Sequence, residues 1–80
     1  MKAYLSNYST PGTHCYGATV LVEDNENVED AICKKFDLLK DNTKFSYHEI
    51  SLKTVKIADL SALEVFKLYD YYKENKEKFI

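Results

Sequence analysis

Hydrophobic and polar positions along this 80-residue chain alternate between a period of two and a period near 3.6. In KAYLSNY (2–8), Ala3, Leu5 and Asn7 alternate with Tyr4, Ser6 and Tyr8, the pattern of a strand. A second strand is predicted in YGATVLVE (16–23), with Ala18, Val20 and Val22 on one face and Thr19 and Leu21 on the other. Between them, Pro11-Gly12 fits the centre of a type II turn, where glycine supplies positive φ, so the pair reads as a hairpin. The spacing turns helical in NVEDAICKKFDLLKD (27–41), where Val28, Ala31, Ile32, Phe36 and Leu39 form one apolar stripe and Cys33 flanks it. Asn27 is placed to cap this helix, with Asp30 three residues on as a variant capping box.

From Phe45, FSYHEISLKTVKI (45–57) alternates again, but its parity slips. Phe45 and Tyr47 share one face, Ile50 and Leu52 the other, and Val55 and Ile57 return to the first. A slip of this kind predicts a bulge or break near Lys53-Thr54, with the tail as a short fourth strand. The last element, SALEVFKLYDYYKENKEKF (61–79), reads as a long helix opened by a capping box of Ser61 and Glu64. Its expected inward stripe is Ala62, Val65, Phe66, Tyr69 and Tyr72, with Tyr71 pointing away.

The order ββαβ(β)α predicts one α+β domain over residues 1–80. It is a small antiparallel sheet of three to four strands, with the first strand central and two helices on one face. The opposite face is expected to be open, as antiparallel sheets permit. No repeat, linker or low-complexity segment interrupts the chain.

Composition narrows the function. No apolar run approaches the roughly 20 residues that span a bilayer, and Met1-Lys2-Ala3-Tyr4 lacks a secretory apolar region. The expectation is a cytoplasmic protein in which Cys15 and Cys33 are reduced thiols. Eleven basic against thirteen acidic residues give a net charge of −2, and every basic residue is lysine. Arginine is the usual fork for base edges and phosphates, so its absence argues against direct nucleic-acid binding.

Candidate chemistry is sparse. His14, Cys15, Cys33 and His48 supply the right residue types for zinc but lack its spacing, so no metal is expected. Cys15 beside His14 offers a thiol and a base, yet neighbours on a strand point to opposite sides. Gly12 and Gly17 stand alone, without a phosphate-binding pattern. More informative are Glu23, Asp24, Glu26, Glu29 and Asp30, five carboxylates within eight residues. Acids at a helix start complement its dipole, but Glu23, Asp24 and Glu26 precede the helix and could form a knob for a basic partner. Seven tyrosines are the other anomaly. Tyr4, Tyr8 and Tyr47 share a parity; they are core if the helices cover that face and docking anchors if it is the open one.

A start like MKAYLSNY, a glycine-containing bend, the strand ATVLVE, acids opening NVEDAICKKF and the later strand YHEISL resemble many very small phage and mobile-element proteins. Among these are anti-CRISPR and other anti-defence inhibitors. The resemblance implies a non-enzymatic protein-binding module that docks on a bacterial defence effector, with no cofactor and no catalytic residue. The partner would carry a basic surface, as nucleic-acid-binding effectors do. The resemblance carries no residue across; from the acidic cluster, the sheet tyrosines and the hairpin loop themselves, the candidate contacts of this chain are Glu23, Asp24, Glu26, Glu29, Asp30, Tyr4, Tyr8, Tyr47, Thr13 and His14. Two other readings stay open: a homodimer or larger homo-oligomer pairing through its exposed sheet, and a redox or hydrolytic enzyme built on Cys15.

Overall fold

A computed structural model describes residues 1–79, with Lys78 through its backbone alone. Strands β1 (Lys2–Thr10) and β2 (Thr13–Val22) form the hairpin, and β3 (Lys44–Ile50) pairs with the other side of β1. Both pairings are antiparallel and the order is β2-β1-β3, so the first strand is central, as its position in the sequence pattern implied. Helix α1 (Val28–Phe36) links β2 to β3, and α2 (Ala62–Glu74) follows the sheet. The fold is α+β. It is elongated, 41 by 20 by 20 Å.

The helices lie on opposite faces, which corrects the expectation that both share one. Helix α1 packs Ala31 and Ile32 against Val20 and Val22, with Tyr4, Tyr8, Phe36, Leu38 and Phe45 around them. On the other face Leu68 of α2 meets Ala3 and Leu21, joined by Ile50, Leu52, Val55 and Leu60. The physical reason is in β2, whose last four residues, Thr19 to Val22, are all buried. A strand covered on both faces reads as a continuous apolar run, not as an alternation.

Local backbone departs from the sequence pattern at four places. Pro11 and Gly12 turn the hairpin, but the glycine with positive φ is Gly17 (74°), so the expected type II turn is not formed. Gly17 lies where the β1–β2 register shifts between Ser6 and Tyr8, a bulge at which Asn7 Oδ1 accepts from the Gly17 N–H at 2.9 Å. Asn27 caps α1 as expected, Oδ1 accepting from the N–H groups of Glu29 and Asp30. The helix then stops at Phe36 because Asp37 turns left-handed (φ 56°), which leaves Leu39 73% exposed and Leu38 in the core. The break expected near Lys53-Thr54 is real, a 3-10 turn over Leu52–Thr54, whereas the tail forms a second such turn (Ile57–Asp59) and not a fourth strand.

Candidate protein-binding surface

One carboxylate sets the orientation of α2. Both halves of the capping box are present: the Glu64 N–H donates to Ser61 Oγ (3.2 Å) and the Ser61 N–H to Glu64 Oε1 (2.9 Å). Glu64 does more than cap. Its Oε2 accepts from the Leu21 N–H at the outer edge of β2 (3.0 Å), and Lys35 Nζ of α1 sits 2.7 Å from Oε1. The same ammonium donates to the Thr19 carbonyl at 2.6 Å and the Asp59 carbonyl at 3.0 Å. Burial pushes the Glu64 carboxyl up, but the bonds from Lys35, Ser61 and Leu21 outweigh it and hold its pKa below the ordinary value.

This anchoring turns the apolar arc of α2 away from the sheet. Glu64 and Leu68 are buried and Tyr71 is half-buried, so the helix presents that row inward. Phe66 is left 69% exposed and Tyr69 58% exposed, with Tyr72 and Ala62 also outward. The expected inward stripe of Ala62, Val65, Phe66, Tyr69 and Tyr72 is therefore largely the outward one, and Tyr71 faces in. Beside it lies an apolar groove of about 240 Å³ lined by Ile57, Val65, Leu68, Tyr69, Tyr72 and Phe79. Phe79 meets Tyr72 edge-on at 5.3 Å, and Lys73 Nζ lies 4.6 Å from the centre of the Tyr69 ring.

The tyrosines singled out in the sheet occupy the face that α1 covers, so they do not line an open face. Tyr4 and Tyr8 are half-buried against the α1 core, and Tyr8 packs on Phe36 with ring centres 5.2 Å apart. Tyr47 keeps more exposure; it meets Tyr4 edge-on at 5.9 Å and its hydroxyl reaches Glu29 Oε2 at 3.4 Å.

The acids do gather at the start of α1, but several serve the fold. Asp24 binds the N-terminal ammonium at 2.8 Å, which raises that amine's pKa, chiefly through this hydrogen bond. Asp30 pairs with Lys40 Nζ at 3.0 Å, and Glu26 Oε1 accepts from the Glu23 N–H. Two of the five charges thus have a cation beside them, so the patch stays negative. Thr13 and His14 are exposed at the hairpin tip, at the other end of the strands.

Cys15 is half-buried opposite Tyr8, and the adjacent His14 pairs with Ser9. Burial raises the pKa of Cys33, reinforced by Asp30 and outweighing the opposing effect of Lys40, so that its thiol form is favoured. Among the described residues no group of three or more His, Cys, Asp or Glu is arranged to hold a metal ion. Nor is any described helix long and apolar enough to cross a membrane.

Compared with known proteins, the chain matches no family model, none of the curated proteins and none of the solved structures.

Proposed function

We propose that this chain is a non-enzymatic protein-binding module of the kind that small phage and mobile-element proteins use against bacterial defence effectors. The observation that carries the reading is the outward stripe of α2. Phe66, Tyr69 and Tyr72 are large and apolar, and they project from a helix whose inner face is fixed by a buried ion pair. Rigid aromatic side chains of this type are the usual anchors of protein interfaces. The acids around Glu23 to Asp30 add a negative field that speeds encounter with a basic partner surface. The partner is thus a protein with an apolar groove for the helix and lysines or arginines nearby.

A photo-crosslinking residue at position 66 or 69, used in the bacterial host, identifies the partner. The purified complex then tests the reading. Phe66→Asp with Tyr69→Asp is expected to weaken binding about 100-fold or more, the scale of two lost anchors. Addition of salt should slow association while leaving the dissociation rate nearly unchanged. Unchanged affinity in a double variant that keeps its far-ultraviolet circular dichroism would remove α2 from the interface.

A further inference from the structure

Helix α2 is held to the rest of the molecule by few buried groups. Of its thirteen residues only Glu64 and Leu68 are buried. Leu68 joins a core with Ala3 and Leu21, whereas α1 packs on Val20 and Val22 across the sheet, and the two cores share no residue. Between the helices lies an open cleft of about 270 Å³, with Ala31, Lys34 and Lys35 on one side and Leu63, Glu64 and Lys67 on the other. The Lys35–Glu64 pair crosses this cleft at 2.7 Å, both side chains largely buried. A second polar tie lies further along α2, where the Tyr71 hydroxyl adds to Asp24 in holding the Met1 ammonium.

We propose that the Lys35–Glu64 pair is an acid-sensitive latch, and that α2 opens from the sheet as a unit while the hairpin, α1 and β3 stay folded. The body left behind keeps the whole α1 core and both strand pairings. Opening uncovers Ala3, Leu21 and Ile50 and frees the Leu21 N–H. It costs less than global unfolding because fewer apolar groups and backbone hydrogen bonds are given up. Protonation of Glu64 removes the charge to which Lys35 bonds. The folded carboxyl titrates below its ordinary value near 4.5, so the latch is complete above that value and is lost as pH falls through the lower folded one. The other charged groups around the pair are Lys34, Glu26, Lys67 and Asp59, whose carbonyl shares the Lys35 ammonium. Glu26 bears the same charge as Glu64, so neutralising it does not loosen the pair. The device does not depend on what the outward stripe of α2 binds.

Native-state amide exchange of the full chain, at urea concentrations below the unfolding transition, reads the opening. At about pH 6 the amides of Leu68 and Tyr69 should share one opening free energy, lower than that of Val20 and Ile32 and with a smaller urea slope. Lowering the pH to about 3.5 should speed exchange at Leu68 and Tyr69, corrected for the intrinsic rate, by about tenfold or more. In Glu64→Gln the corrected rates should respond much less. Should that variant fail to fold, the wild-type hierarchy and its pH response decide. One opening free energy common to α2, α1 and the sheet at every urea concentration overturns the proposal. So does an α2 response to pH of the same size in wild type and in Glu64→Gln.

Discussion

At the scale of single residues, Glu64 has the largest part. Its carboxylate joins α1, α2 and the edge of β2 through Lys35, Ser61 and Leu21. Removing one partner of a buried pair leaves the other charge uncompensated, so Lys35→Met or Glu64→Ala should each cost about 3–5 kcal/mol in chemical denaturation. The double change should cost less than the sum, and the double-mutant cycle measures the coupling. It will not restore wild-type stability, because the Leu21 and Ser61 N–H groups stay unpaired. The sign of the pH effect follows from the lowered pKa. Its contribution is fully present above the unfolded-state value, near 4.5, and is lost as pH falls through the lower folded value. Unfolding free energy measured from pH 6 downward should fall more steeply in wild type than in Glu64→Gln; parallel curves would show that the carboxylate is not engaged. The glycines give a second contrast. Gly17→Ala should cost about 1 kcal/mol, because φ is 74° although a methyl group meets nothing there. Gly12→Ala meets no contact either and needs no positive φ, so its melting temperature should match wild type closely.

At the scale of elements, much was legible. The hairpin, the central place of β1, both helices and the caps at Asn27 and Ser61 follow from period, turn residues and capping chemistry. What was not legible is which way α2 faces. Its apolar arc is wide, running from Leu68 through Val65 and Tyr69 to Phe66, and periodicity alone places the middle of such an arc inward. The structure places its border there instead, because a glutamate with three donors to satisfy must sit against the sheet edge. The signal available in the sequence was the capping box itself, which put Glu64 at the base of the helix with one oxygen to spare. Similarly, the covered second face of the sheet could be read from ATVLV, where polar alternation fails. The end of α1 at Asp37 could not, since the apolar spacing continues past the left-handed aspartate to Leu39 and carries no mark of the turn that brings Leu38 to the core.

At the scale of the whole molecule, the outward stripe of α2 is the surface that the three layers leave apolar and exposed. The candidate residues named from sequence fare unequally. The acids form a patch, Thr13 and His14 crown the hairpin, Tyr47 stays partly accessible, and Tyr4 and Tyr8 belong to the core beneath α1. The aromatics best placed for a partner are on α2, where the sequence pattern argued for burial. Exposed aromatic side chains are oxidised faster than buried ones, so hydroxyl-radical footprinting reads the arrangement directly, in the free protein and in its complex with the partner. The expected result is rapid modification of Phe66 and Tyr69 in the free chain, slow modification of Tyr8, and protection of Phe66, Tyr69 and Tyr72 on binding. Slow oxidation of Phe66 in the free chain, or no protection of these residues in the complex, would contradict the account.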